Sequence, residues 1–371
     1  MEANMYPEKV YQIALSRIPQ IGVVNARRLI AYTKSAEAIF KSSSSDLQRI
    51  PHIGPVLAHS VAQQGLLADA EKILHACEKA KIQTLFYTDT HFPDRMKQMY
   101  DAPIMLYYAG NVDLNQERFL AVVGTRKATD YGRRITHSLV EQSQGSQTTF
   151  VSGLAYGIDI EVHKHCLQLG IPNIAVLAGG FEHIYPAKHR KYLQELVSNG
   201  GILSEHPLHQ KPDPRFFPLR NRIIAGMTDA TVVVEAAEKG GALITADYAN
   251  NYHREVFAIP GNLDKVFSEG CNRLIQKNKA VIYTDFQALC QQMNWVHADQ
   301  QVKSNKNLQW SRLTEEESEI MAFLARNGET KLDALAWKLQ KKVTDLAVTL
   351  LNLEFQGLVK SLPGYIYRLK N

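Results

Sequence analysis

The chain has 371 residues, 45% of them hydrophobic and 21% charged, a length and balance that call for several soluble globular domains rather than one core. Its net charge of +5 admits an anionic partner, and its four scattered cysteines, with no Cys-x-x-Cys pair, indicate free thiols in a reducing cytoplasm. No apolar run approaches the roughly 18 residues of a membrane helix, and the opening MEANMYPEKV lacks the basic-then-apolar order of a secretory signal, which argues against membrane-spanning and secreted classes.

Two early segments repeat. Arg17-Ile-Pro-Gln-Ile-Gly22 precedes a helix-like Val23–Tyr32, and Arg49-Ile-Pro-His-Ile-Gly54 precedes Pro55–Gln64. The glycine permits a tight hairpin and the proline ends the preceding helix. The pair resembles a tandem helix-hairpin-helix unit, with Gln20 and His52 where the first of two turn glycines usually stands; a small helical packing module explains it equally well. Residues 1–82 are read as this helical, helix-hairpin-helix/SAM-like domain.

From residue 84 short apolar runs alternate with amphipathic ones. The strands are expected at Leu85–Tyr87, Ile104–Tyr108, Phe119–Val123, Thr149–Val151, Ile174–Leu177, Gly201–Ser204, Thr231–Val234, Val256–Ile259 and Ala280–Tyr283. Helices are expected between most of them, including Gly132–Glu141, Ile158–Leu169 and Lys188–Ser198. Unbroken apolar strands separated by helices predict an extended, Rossmann-like α/β fold over 83–296, a doubly wound parallel sheet covered on both faces. The polar stretch 297–311 reads as a linker. Residues 312–371 read as a winged helix: helices Glu315–Ala325, Leu332–Leu339 and Val343–Phe355, then two strand-like runs around Pro363-Gly364.

Ligands of open parallel sheets collect beyond the C-terminal strand ends. Four loops should meet there: Gly124-Thr125-Arg126, Ser152-Gly153 through Gly157, Gly179-Gly180, and Glu235 through Gly240-Gly241. Small residues let backbone amides close on an anion, and Arg126, Arg220 and Arg222 add bidentate donors for phosphate. Each glycine taken singly is explained by a tight βα turn; the four loops and three arginines together favour a phosphate-bearing ligand. Phe216 and Phe217 offer faces for stacking bases, with at least one of the pair expected in the core, and Lys188 opens a basic run beside Gly179-Gly180. The chain has neither the Gly-x-Gly-x-x-Gly dinucleotide fingerprint nor a P-loop. His163 and His165 lie two apart, on different faces of a helix, so no metal site is expected. Ser152 is not in a nucleophile elbow, Asp159 and Glu161 sit where acids suit a helix dipole, and surface or loop roles are favoured for Glu205 and Glu235.

Taken together, Val122-Val-Gly-Thr-Arg126, Ser152-Gly-Leu-Ala-x-Gly-Ile-Asp159, Phe217-Pro-x-Arg-Asn-Arg-Ile-Ile-Ala-Gly226, Glu235-Ala-x-x-x-Gly-Gly-Ala-Leu-Ile-Thr245, Glu255-Val-Phe-Ala-Ile-Pro-Gly261 and Gly270-x-Asn-x-Leu-Ile275 resemble the DNA-processing protein A family (DprA, also called Smf). The resemblance implies a non-enzymatic, cofactor-free cytoplasmic protein of natural transformation. Such a protein binds and protects single-stranded DNA, helps load RecA recombinase and forms a homodimer through the α/β domain. It places the strand at Gly124, Thr125 and Arg126 and at Phe217, Arg220, Asn221 and Arg222; Ser152, Gly153, Lys188, Gly240 and Gly241 are the further DNA-binding candidates. The chain departs from the family pattern at Tyr156, where Arg is usual, at His253 and Asn278-Lys279, where Gly is usual, and at Cys271, where Thr is common. The alternative is a nucleotide-binding enzyme of the phosphoribohydrolase type, which would need a Pro-Gly-Gly-x-Gly-Thr-x-x-Glu motif that Glu238-Lys-Gly-Gly-Ala-Leu-Ile-Thr does not supply. In the winged tail Lys341 and Lys342 only open the third helix, which suits a protein contact or an auxiliary DNA role better than groove reading.

Overall fold

The β-rich runs from residue 83 onward pair into one sheet. Its strands are β1 (Gln83–Phe86), β2 (Met105–Gly110), β3 (Phe119–Val123), β4 (Thr149–Ser152), β5 (Asn173–Val176), β6 (Gly200–Ser204), β7 (Ala230–Val233), β8 (Glu255–Ala258) and β9 (Val281–Ile282). They lie in the order β1-β2-β6-β5-β4-β3-β7-β8-β9. The computed structural model describes residues 6–61, 65–295, 314–355, 358–362 and 364–369. These fall into two compact units, Met1–Met293 and Asn294–Asn371. The expected linker, 297–311, lies outside the described residues.

From β6 to β9 the neighbours run parallel, and every residue of β3 to β7 is buried, as strands covered on both faces require. The all-parallel expectation fails at one end: β1 pairs with β2, and β2 with β6, antiparallel. A parallel neighbour needs a long crossover, whereas the only helix between β1 and β2 is the single turn Asp94–Lys97. The chain lays β3 to β6 outward in one direction, then returns to place β7, β8 and β9 on the other side of β3. This reversal opens a crevice between the C-terminal ends of β3 and β7.

The N-terminal helices are built onto this sheet. Val10, Ile13, Leu29, Ile39 and Leu47 share one core with Phe86, Ile104, Met105 and Tyr107 of its antiparallel end. The two repeated hairpins match residue for residue. Ile18 and Ile50 accept from Ile21 and Ile53 N–H at 3.3 and 3.1 Å, and Gln20 and His52 take left-handed φ of 66° and 64°. These two bulky residues thus hold the backbone conformation that glycine adopts most cheaply. The same holds at the family's two replaced glycines, with φ of 56° at His253 and 53° at Asn278. The exchanged Cys271 is buried, and burial pushes its thiol up to about 12. All four cysteines are free.

In the second unit, helices Glu315–Asn327, Leu332–Lys338 and Val343–Phe355 enclose Ile320, Leu324, Leu335, Leu350 and Leu353. A three-stranded sheet completes the winged helix, with β12 (Ile366–Leu369) between β10 (Thr330–Lys331) and β11 (Val359–Leu362). Thr314 and Glu317 form a reciprocal capping box at the first helix.

A candidate nucleic-acid interface

At the point where strand order reverses, a crevice of about 550 Å³ is lined by the backbone and side chains of 124–127, by Asp159, by Arg220 and Asn221, and by 239–241. The segment that carries the Phe pair and the arginines is helical: α11 spans Phe216–Gly226, with Pro218 in its first turn, where proline is tolerated. Residues two apart on a helix differ by roughly 200° around the axis. Arg220 and Arg222 therefore leave α11 on opposite sides.

Arg220 points under the crevice. It is 6% exposed, and its Nη1 donates to the Gly153 carbonyl at 2.6 Å and to the Val176 carbonyl, tying α11 to the ends of β4 and β5. Burial lowers its guanidinium to about 10, while the charge of Asp159 opposes that fall, so it stays cationic at neutral pH. Asp159, buried at the start of helix Ile158–Leu169, accepts the Gly153 N–H at 3.1 Å. Burial raises its carboxyl and Arg220 pulls it back down. A Cβ at Gly153 would lie 2.6 Å from Arg220 Cζ, so any larger residue there has to displace the buried guanidinium. Gly157, at φ 79°, lets the loop after β4 close against the Thr125 carbonyl. These two glycines pack loops. By contrast, a Cβ on Gly241 would meet nothing within 4 Å. Helix α12 (Gly241–Asn251) begins there without a side-chain cap, and Asn221 Nδ2 donates to the Gly241 carbonyl at 3.1 Å. Its first amides and dipole face a crevice whose rim carries exposed Arg126, Lys127 and Lys239.

Phe217 stands beside the crevice, half-buried, with the Arg126 guanidinium 5.6 Å from its ring centroid and Tyr185 packed edge-to-face at 5.4 Å. Phe216 turns away and stacks on His206 at 4.1 Å. Neither phenylalanine is a core residue, contrary to the expectation for at least one of them: the first turn of α11 lies at the surface, and burial begins at Arg220.

Besides the loop-packing Gly153 and the flanking Phe217, three more of the expected contact residues lie off the crevice lining. Arg222 does not line the crevice; its side chain, 8% exposed, holds Glu205 at 2.5 and 2.6 Å. Ser152 is fully buried and donates to the Val122 carbonyl at 2.7 Å, as the last residue of a central strand. Lys188 is exposed on the 3₁₀ segment Ala187–Tyr192, outside the crevice lining. Glu235, expected in a surface or loop role, is instead buried and accepts from Thr129 N–H at 3.0 Å and Thr129 Oγ1 at 2.5 Å, closing the start of helix Asp130–Gln142. Glu238 pairs with Arg273 at 2.7 Å. Asp159, Lys239 and Tyr185 join the site only through the fold. Asp159 and Lys239 lie inside the quoted motifs, but Tyr185 carries no local signal, because its partner Phe217 is 32 residues away.

The His-Lys-His-Cys run diverges as its spacing predicts. His165 Nε2 meets Glu141 at 3.0 Å, while His163 is fully buried, with Nδ1 at 2.7 Å from Asn173 Oδ1. Burial pushes the His163 imidazole down to about 4. Between pH 6.5 and 4 the unfolded chain takes up a proton that folded His163 refuses. Its contribution to stability is therefore intact above about 6.5, and falls by up to roughly 3 kcal/mol as pH drops to about 4. Urea unfolding at pH 7 and pH 5 should show a shallower pH dependence for His163→Gln than for the unaltered chain; equal dependence would discount this group. Asp159 contributes with the opposite sign, and the comparison of the two chains cancels it.

Comparison with known proteins settles the family. The family described as DNA recombination-mediator protein A matches residues 83–294, and the one described as DprA winged helix domain matches residues 310–365. The chain belongs to the DprA family. Protein Smf of Synechocystis sp. is 31% identical over 97% of this chain and 98% of its own. The DNA processing protein DprA of Bacillus subtilis is 36% identical over 57% of this chain and 72% of its own. Among solved structures, DNA processing protein A from Streptococcus pneumoniae superposes with a TM-score of 0.65 at 30% identity, covering 77% of this chain and 97% of that one. The Helicobacter pylori protein, described for its single-stranded DNA binding mode, gives 0.52 at 28% identity over 57% and 95% of the two chains.

The winged unit of this DprA-family chain does not present a cationic reading helix. Lys341 is held by Glu316 and Glu319 at 3.0 and 3.1 Å, and along Val343–Phe355 the outward residues include Val348, Leu351 and Phe355, the last 82% exposed. Among the described residues no helix is long and apolar enough to cross a membrane.

Proposed function

We propose that the crevice between β3 and β7 binds single-stranded DNA, and that the protein acts as a non-enzymatic recombination mediator in the cytoplasm. In this reading it shields the strand, helps pass it to RecA recombinase and works as a homodimer through its α/β unit. The observation that carries the reading is the grouping of Phe217, Arg126 and the open α12 N-terminus around one crevice. An aromatic face beside a cation holds an unpaired base of any sequence, and uncapped amides hold the adjacent phosphate. A duplex keeps its base faces stacked and can use only the charge. The single-stranded DNA binding mode described for the H. pylori neighbour supports the same assignment. In a gel-shift competition, oligo-dT should displace itself at a concentration at least roughly tenfold lower than duplex of equal length does, the equivalent of one stacked base. Equal competition by the two would rule the reading out.

A further inference from the structure

Past Phe217 lies a second hollow of about 580 Å³. Its lining includes Tyr156 from the loop after β4, Tyr185 and Arg190 from the segment after β5, and Lys211 from the loop after β6. The two tyrosines remain 42% and 51% exposed, yet both are held by neighbours. Tyr156 packs edge-to-face with His189 at 5.2 Å, and that buried imidazole is itself anchored by Nδ1 to the Leu154 carbonyl at 2.7 Å. Tyr185 packs edge-to-face with Phe217. An exposed aromatic side chain fixed by its surroundings loses little rotamer freedom when a ligand stacks on it. Arg190 and Lys211 are exposed in the same wall. The one acid lining the hollow, Glu182, is engaged by His209 Nδ1 at 2.6 Å.

The two hollows are joined by a chain of contacts. Arg126 lines the first, lies 5.6 Å from the Phe217 centroid, and Phe217 lies 5.4 Å from Tyr185, which lines the second. We infer that the second hollow is a further nucleotide subsite. A single strand seated in the crevice continues across Phe217, stacks a base on Tyr156 and Tyr185, and sets its backbone phosphates against Arg190 and Lys211. This inference rests on the single-strand reading of the crevice. It also assigns a purpose to Tyr156, which stands where the family motif has arginine: the exchange trades a phosphate contact for a stacking face, and the cations come from Arg190 and Lys211 instead.

The test is affinity against strand length, with oligo-dT of about four and about twelve nucleotides, lengths that bracket one and both hollows. The unaltered chain should bind the longer strand more tightly. Tyr156→Ala and Lys211→Ala should each weaken the longer strand several-fold and leave the shorter one unchanged, while Tyr156→Phe keeps the affinity. Arg126→Ala should weaken both lengths. A longer oligomer carrying 5-bromodeoxyuridine should photocrosslink to Tyr156 or Tyr185. If both alanine variants keep the full length dependence, or the adducts lie elsewhere, the second subsite is wrong while the crevice reading stands. If the unaltered chain binds neither oligomer, both readings fall.

Discussion

Arg126→Ala should weaken single-strand binding by roughly ten- to a hundredfold, the loss of one charged hydrogen bond to phosphate, and should lower the slope of log K against log salt by about 0.7. The side chain is exposed and lies over the ring of Phe217, so its removal leaves no buried group unpaired and the melting temperature should hold. Phe217→Ala is the matched control. It removes a stacking face worth about 1–3 kcal/mol per base but no charge, so affinity falls while the salt slope stays. Titrating labelled oligo-dT at several salt concentrations separates the two. An unaltered slope in Arg126→Ala would mean that the guanidinium does not meet the phosphate backbone and that the crevice is misassigned.

Arg222→Ala, two residues beyond Arg220 in the same motif, should behave in the opposite way. Its guanidinium, 8% exposed, is paired with Glu205, whose side chain keeps only 25% of its surface. Removing one partner strands a mostly buried carboxylate, at a cost of about 3 kcal/mol, near the low end of the range because Glu205 retains some water. Thermal unfolding should shift down by several degrees, and any loss of DNA affinity should follow the loss of folded protein, with the salt slope intact. The double variant Arg222→Met with Glu205→Gln should recover most of the stability, since the uncompensated charge is then gone. A variant that melts like the unaltered chain but binds with a flatter salt slope would return Arg222 to the phosphate rim.

This contrast shows where local pattern stops being informative. Read as a string, Arg-Asn-Arg looks like one block of positive charge leading into β7. In the fold Phe216–Gly226 is a helix, and its rotation per residue sends Arg220 beneath the crevice, Asn221 to the start of α12 and Arg222 to Glu205 on the far side. Pro218 and the two phenylalanines obscure the helical periodicity of the run, although proline is compatible with a first turn. Glu235 repeats the lesson: an acid after a central strand suggests a surface or loop position, but it is buried, and Thr129, 106 residues earlier, holds both its oxygens.

By itself the sequence determined the alternation of apolar strands and amphipathic helices, and hence the doubly wound sheet, the winged tail and the placing of the Gly124–Arg126 loop at the C-terminal end of a central strand. Those features follow from the period of burial along a strand or helix and from turn chemistry, both of which act within a few residues. Tertiary structure alone decided the antiparallel end of the sheet, the burial of Asp159 against Arg220, and the meeting of Tyr185 with Phe217. Each depends on which elements become neighbours, and a buried charge or an aromatic contact is stabilised by partners whose distance along the chain leaves no local trace.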